Sequence, residues 1–452
     1  MINMLLSQAA ASIHADLEGE DLPFNGCSTD SRRVSTGELF IALRGERYDG
    51  HAFIAQARDN GAVAAMVEQV FTDRGTMPLI IVEDCRRAMG RLAGYWRGCF
   101  KIPLIAVTGS NGKTTVKEMI ASILSRKAPV LSTQGNLNND IGVPLTLFSL
   151  EHRYRYAVVE MGANHPGEIA ALTSIARPTV AVITQCAPAH LQGFGSVDGV
   201  ARAKAEIFEG LGQGGTAIVN ADDDHAMLWR DKARAYRQIS FSMRRDADVY
   251  ASGIDFDTTT NISSFTLHVS DGETGVQLPL PGHHNVHNAL AAAACCVAVG
   301  IGIETIKTGL ETIKSIKGRL QIKKGKSGAR ICDDTYNANP ASLEAALTVV
   351  TSYPGRHWLV LGDMGELGNS AASLHYASGE KARQAGFERL FALGPLSIHT
   401  VKGFGSGAVH FPGAEQLIDA LITGLSADIN VLVKGSRAMA MERIVNAIGE
   451  DS

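Results

Sequence analysis

Short apolar runs recur along this chain, each closing in a polar or glycine-rich turn and most followed by a helical repeat of apolar positions. That alternation predicts an α/β protein. In the first block Leu39–Leu43, Ala62–Val67 and Leu79–Val82 read as strands and Ala55–Gly61 as the end of a helix, a small α/β unit over residues 1–84. A helical stretch from Arg86 to Arg97 and the pair Ile102-Pro103 lead into a second block, 85–317. There Ile105-Ala-Val107 runs into a glycine-rich turn, and a helical pattern follows from Val116 to Leu124. Tyr156–Glu160, Val180–Thr184 and Ala217–Asn220 read as buried strands with helices between them, which predicts a mostly parallel sheet covered on both faces. Residues 247–281 alternate and carry Thr and Ser, as an antiparallel insert would; Val286–Val299 reads as a long buried helix. The third block, 318–452, offers strands at 330–333, 357–362, 390–394 and 430–434, with helical patterns such as 341–351 and 414–425. It is a second doubly wound unit, Rossmann-like in outline, but no Gly-x-Gly-x-x-Gly follows a strand and no dinucleotide site is expected. The chain shows no repeats and no low-complexity tract.

A length of 452 residues with 45% hydrophobic and 19% charged positions is ample for two to four packed domains. The net charge of −4 offers nothing to nucleic acid or an anionic membrane. Seven scattered cysteines without a Cys-x-x-Cys pair suit a reducing compartment, and a cytoplasmic location is expected. The start lacks the basic region of a signal peptide, and the most apolar run, Ala289–Ile303, is too short to span a bilayer.

Chemistry concentrates at Thr108-Gly109-Ser110-Asn111-Gly112-Lys113-Thr114-Thr115. A strand, a glycine-rich loop and a helix in succession turn backbone N–H groups toward a phosphate chain. Lys113 is placed to reach the β/γ-phosphates and the Thr114 hydroxyl to sit on Mg²⁺. Val107 stands where a strict P-loop has its first glycine, and the plain alternative is a β–α turn with an exposed lysine. Glu160 ends a strand of the same sheet, where a carboxylate is a natural Mg²⁺ ligand; a capping or salt-bridged role is the alternative. His190 lies past the next strand and Lys204 on an amphipathic helix, and neither is marked out by its own context. Asp333-Asp-Thr-Tyr-Asn-Ala-Asn-Pro and Lys434-Gly-Ser-Arg437 follow strands of the third block. Arginine there suits a carboxylate or phosphate, and a simple turn is the competing reading.

The Thr-Gly-x-Asn-Gly-Lys-Thr-Thr loop resembles that of the Mur ligase family, ATP-dependent enzymes that join an amino acid or peptide to a carboxylate. The resemblance extends over all three blocks. It implies ATP with two Mg²⁺ ions, Lys204 carbamylated so that its carbamate helps hold the second ion, and Glu160 and His190 as further metal ligands. Asn285 and Asn288 in Gly-His-His-Asn-Val-His-Asn-Ala resemble a family motif whose second Asn lies by the adenine, the plain alternative being a helix N-cap and a first-turn amide; His283 and His287 are assigned nothing. By the same resemblance Asp334 contacts the ribose and Arg319 orients the nucleotide when the domains close. Ser28, Asp30, Arg32, Arg44, Gly45, Asp49 and His51 resemble a uridine-nucleotide-binding domain. Gln185-Cys186 and Thr335 depart from the family pattern only locally.

Within the family, Gly135-Asn-Leu-Asn-Asn-Asp-Ile-Gly-Val-Pro144 and Gly362-Asp-Met-Gly-Glu-Leu-Gly368 resemble the branch that attaches D-alanyl-D-alanine to UDP-N-acetylmuramoyl-tripeptide. The expected substrate contacts then include Asn136, Asn138, Asn139, Tyr336, Asn337, Asn339, Lys434, Ser436 and Arg437, in a monomer. The alternatives are the branch that adds the third peptide residue, usually marked by an Asp-Asn-Pro-Arg absent here, a folylpolyglutamate-type ligase, and, in another class, a P-loop switch or transport ATPase.

Overall fold

A computed structural model describes residues 1–71 and 75–450. Three large sheets carry the chain, beside a two-stranded antiparallel pair of Met4–Leu5 and Pro23–Phe24. The first has the order 16–18, 79–82, 64–68, 39–41, 27–28, parallel except at the first edge. A helix that the sequence reading passed over precedes it: Leu6, Ala9, Ala10 and Ile13 form the buried stripe of Leu6–Ile13, spaced as one helical face requires.

The helix Cys85–Gly98 starts on Asp84, whose side chain accepts from Arg87 N, and buries Cys85, Ala88, Met89, Leu92 and Ala93. Its apolar face joins the first sheet to the second in one continuous core, which also takes in Leu6, Leu147 and Leu172.

The second sheet has nine strands, ordered 272–278, 262–269, 249–257, 237–242, 216–220, 180–183, 104–108, 156–160, 130–132. The alternating stretch is therefore not a separate insert. Its strand Val249–Asp257 pairs in parallel with Arg237–Ser242 and extends the same sheet, and two antiparallel hairpin strands follow. The strands Arg237–Ser242 and Val130–Ser132 were not anticipated, the first because its polar residues hide the pattern and the second because it is only three residues long. All of Leu104–Thr108 is buried. Leu104 and Ala106 point into the core under Cys85–Gly98, while Ile105 and Val107 point into the core under Lys113–Leu124 and His283–Ala298. The period of two along a strand explains why both faces are apolar.

The third sheet runs 321–324, 330–334, 429–434, 356–362, 389–393, 408–411, parallel except for its first strand. Leu359 and Leu361 face one core, Trp358 and Val360 the other. It meets the second sheet's hairpin at Phe256, edge-on to Tyr353 at 5.8 Å, and at Asn261, which accepts from the Tyr353 hydroxyl at 2.7 Å. The carboxyl ends of both sheets border the same clefts beside the phosphate loop, through residues such as Asn111, Glu160, Asn220, Asp334 and Lys434.

Candidate active site

The loop between Thr108 and Lys113 is built for close approach. Gly109 has φ +148° and Gly112 φ +81°; a Cβ on Gly109 would lie 1.9 Å from Thr184 Oγ1, and one on Gly112 2.4 Å from Asn288 Oδ1. Thr184 donates to the Asn111 carbonyl at 2.5 Å, and Ser110 N donates to the Gln185 carbonyl at 2.9 Å. The loop is thus tied to the end of the neighbouring strand. Lys113, first residue of its helix, donates from Nζ to the Gly109 carbonyl at 2.7 Å. Burial pulls its amine below the ordinary lysine range, with Glu160 opposing.

Beyond the loop three groups from separate elements stand out. Glu160 is 1% exposed; one carboxylate oxygen accepts from Asn138 Nδ2 at 2.8 Å and the other has no hydrogen-bond partner. Lys204 is also 1% exposed, with an unpartnered amine 5.5 Å from the centre of the Phe194 ring. Burial, then the charge of Lys113, lowers that amine from 10.5 to about 7. His190, at φ +52°, precedes the short helix Leu191–Phe194, and its Nδ1 abuts the Glu366 carboxylate. A buried polar atom left unpaired is costly, so the free oxygen of Glu160 and the free amine of Lys204 mark a place for a polar ligand. Among the described residues no three His, Cys, Asp or Glu side chains are grouped so that they alone could hold a metal ion. An ion held here would draw its remaining ligands from the Thr114 hydroxyl, phosphate and water, as Mg²⁺ commonly does.

The third unit touches the loop directly. Arg319 Nη2 lies 3.4 Å from Thr114 Oγ1, and its guanidinium stacks 4.1 Å from the Tyr336 ring centre. Asn339 caps the helix Pro340–Val350 by accepting from Ser342 N at 2.9 Å, and its Nδ2 donates to Asn111 Oδ1 at 2.7 Å. Two clefts result. One, about 530 Å³, is bordered by Gly112, Thr115, Asn220, His287, Asn288 and Asp334. The other, about 460 Å³, lies on the Lys113 side and is bordered by Asn138, Glu160, His190, Tyr336, Glu366 and Arg437.

This geometry can be set beside known proteins. Family models described as Mur ligase family, catalytic domain, Mur ligase middle domain, and Mur ligase, glutamate ligase domain match residues 23–97, 107–296 and 318–437. The UDP-N-acetylmuramoyl-tripeptide–D-alanyl-D-alanine ligase of Escherichia coli (strain K12) is 43% identical over 456 residues, covering 100% of this chain and 99% of that one. The chain belongs to the Mur ligase family. Its fold matches a crystal structure of MurF from Acinetobacter baumannii with a TM-score of 0.93 at 37% identity, over 99% of this chain and 98% of that one. MurF ligase from Thermotoga maritima in complex with ADP matches with a TM-score of 0.83 at 26% identity, over 94% of this chain and 96% of that one.

In this Mur ligase the sequence-expected residues separate into groups. Asn136, Asn138, Asn139, Tyr336, Asn337, Asn339, Ser436 and Arg437 all border the Lys113-side cleft. Lys434 does not: it borders the other cleft, its amine pairs with Asp334 and donates to the Asn337 carbonyl at 2.9 Å, and it is 1% exposed. It is a buried partner of Asp334 rather than a free anion receptor. Asp334 also accepts from Leu320 N at 3.1 Å. Asn285 and Asn288 lie on a helix that begins at His283, three residues earlier than its apolar pattern suggests. Gly282 occupies the cap position, so neither asparagine is a cap.

Neither cleft at the loop is bordered by the first unit's candidates. Arg32 forks onto Asp30 with two 2.9 Å bonds at the surface, and Ser28 Oγ donates to the Asp30 carbonyl at 3.2 Å. Arg44 and Gly45 border a third hollow with Arg47, Tyr48 and Arg86. His51 faces inward: Nδ1 bonds Asp49 at 2.6 Å and Nε2 accepts from Glu68 N at 2.9 Å, so its ring serves the local fold.

The sequence reading missed two groups. His287, assigned nothing, lies 3.2 Å from Asn220 Oδ1 and tilts against Phe241 in the larger cleft, where Asp222 and Asp223 also sit. Those acids follow the strand Thr216–Asn220, so the rule that ligands gather at carboxyl edges already pointed to them. Glu366 lay inside a motif used only to distinguish branches of the family.

Proposed function

We infer that this Mur ligase uses ATP to join D-alanyl-D-alanine to the terminal carboxylate of UDP-N-acetylmuramoyl-tripeptide. The carrying observation is full-length similarity to enzymes bearing that name, together with a phosphate loop bordered by two clefts. The larger suits the nucleoside, with Asn288, His287 and Asp334 along its edge; the other suits the carboxylate and the incoming amine.

A carboxylate must first be activated, since oxide is not a viable leaving group. The substrate carboxylate attacks the γ-phosphate, ADP leaves, and an acyl phosphate forms. The neutral amine then attacks the acyl carbon, and the tetrahedral intermediate collapses as the acyl C–O bond breaks with its electron pair on the departing phosphate, which takes up the amine proton. Lys113 and the loop N–H groups hold the transferring phosphoryl group. Arg319 reaches the same place from the third unit and orients the nucleotide. Tyr336, Asn138 and Asn139 border the reacting carboxylate, while Ser436 and Arg437 suit the carboxylate of the dipeptide. Cover from the third unit excludes water that would hydrolyse the acyl phosphate.

The free oxygen of Glu160 supports a metal reading: Glu160, the Thr114 hydroxyl and His190 would hold Mg²⁺. Lys204 fits a carbamate, since CO₂ adds to a neutral amine and an amine near 7 is neutral about half the time at pH 7. Two bound Mg²⁺ ions would spread the charge of the transferring phosphoryl group. The first unit is read as the holder of the UDP moiety, on domains 1–84, 85–317 and 318–452. Seven free cysteines support a cytoplasmic setting, and the chain is read as a monomer.

The test is ligation by the purified enzyme with ATP, Mg²⁺ and UDP-muramoyl-tripeptide, following phosphate release and product mass for several amines. D-Alanyl-D-alanine should be strongly preferred, and Lys113→Ala should lower turnover at least about 10³-fold. Product formation with single amino acids but not the dipeptide would move the chain to another branch of the family.

A further inference from the structure

His190 and Glu366 come from different units, the first from the loop after strand Val180–Ile183 and the second from the loop after strand Arg356–Gly362. Both hold a left-handed backbone, φ +52° and +62°, which is rare for residues with a side chain. Such backbones persist where surrounding structure enforces them, often for function. The two loops are held together by more than the contact between His190 and Glu366. Gln192 N donates to the Glu366 carbonyl at 3.4 Å, and a Cβ on Gly368 would stand 3.7 Å from Gln192 Cβ. The pair itself is partly exposed, His190 by 22% and Glu366 by 53%, and such a surface bridge gives little stability by itself. Its geometry offers something else. His190 Nδ1 lies against the Glu366 carboxylate without a formed hydrogen bond; an ionised carboxylate only accepts, so its charge favours the ring proton on Nδ1 and leaves the Nε2 lone pair available.

We propose that Glu366 is a positioning residue for His190, fixing its tautomer and direction from the third unit, so that this metal ligand is set only while the third unit lies against the central sheet. The proposal rests on the reading of His190 as a Mg²⁺ ligand given above. Carboxylate–histidine–metal arrangements of this kind tune affinity by about 10- to 100-fold. Here the carboxylate arrives from another unit, which makes the metal site a reporter of closure.

The experiment is a Mn²⁺ titration, followed by electron paramagnetic resonance, of the full-length enzyme with a non-hydrolysable ATP analogue and UDP-muramoyl-tripeptide. Thermal melting checks the fold of each variant. Glu366→Ala should weaken Mn²⁺ binding about 10-fold. Glu366→Gln, which keeps an acceptor for the Nδ1 proton, should lose no more than about threefold, a rescue that mere bulk would not give. In a His190→Ala background Glu366→Ala should add nothing, because its effect passes through the ring. Equal losses in both backgrounds, or no loss while His190→Ala alone weakens binding, would overturn the positioning role. If His190→Ala itself leaves Mn²⁺ affinity unchanged, the metal assignment of His190 fails, and this inference fails with it.

Discussion

Lys204 shows how one residue's chemistry depends on its surroundings. On its helix it looks like a surface lysine, yet it is buried and without a partner for its amine. Lys204→Ala should lower turnover by about 10² or more, and a small carboxylic acid added in solution should restore part of it. Full activity without rescue would exclude the carbamate. A second residue-scale prediction concerns His284, whose pKa falls from 6.5 to about 4 chiefly through burial, with Asp334 opposing. The folded state thus keeps this ring neutral while the unfolded chain protonates it. The stability it contributes is complete above pH 6.5 and is lost as pH falls from 6.5 to about 4. The full shift corresponds to about 3 kcal/mol, and less for a ring that is partly exposed. His284→Gln should therefore flatten the pH dependence of the urea midpoint between pH 7 and 5. A variant with the wild-type slope would show that the ring protonates equally in both states.

At the scale of elements, the phosphate loop and its helix work as one piece with the helix that carries Asn288. Gly112 is held at φ +81° directly against the Asn288 amide, so a methyl group there meets both strain and a clash. Gly112→Ala should destabilise the protein by about 1–3 kcal/mol and weaken ATP-analogue binding at least about tenfold, measured by melting and by calorimetry. Unchanged affinity would mean that the loop relaxes without consequence for the nucleotide. The contact also explains why an asparagine on a helix more than a hundred residues away belongs to the same site.

At the scale of the molecule, the third unit reaches the phosphate loop and its helix through Arg319 and Asn339, and the neighbouring His190 loop through Glu366. Asp334 is a poor probe of that approach, since its removal strands the buried ammonium of Lys434. Arg319→Ala is cleaner. It should cut kcat about 10²- to 10³-fold while leaving the KM for the UDP substrate nearly unchanged. The docked arrangement can also be trapped. The 3.7 Å between Gln192 Cβ and a Cβ at Gly368 falls within disulfide range, at the cost of backbone strain for a cysteine at φ +58°. The double variant Gln192→Cys, Gly368→Cys, made with Cys99→Ser, should lose turnover on oxidation and regain it on reduction, if units part in each cycle. An oxidised enzyme working at the reduced rate would show that turnover needs no such parting.

Much of this was legible without coordinates, for definite reasons. The buried strand Leu104–Val107, the turn at Gly109–Gly112 and the helix behind it are set by local periodicity and by glycine's freedom, which a linear reading can see. The same holds for Glu160 and Asp334, since a carboxylate after an apolar run marks a sheet's carboxyl edge. Strands with mixed pattern, such as Arg237–Ser242, were hidden because their burial comes from neighbours rather than from their own sequence. So was the inward turn of His51, whose ring atoms are claimed by Asp49 and Glu68. Lys204's lowered amine, Lys434's pairing with Asp334 and the meeting of His190 with Glu366 belong to the tertiary structure alone. Desolvation and charge proximity depend on what lies within a few ångströms in space, and residues 100 or 176 positions apart carry no local signal that they will meet.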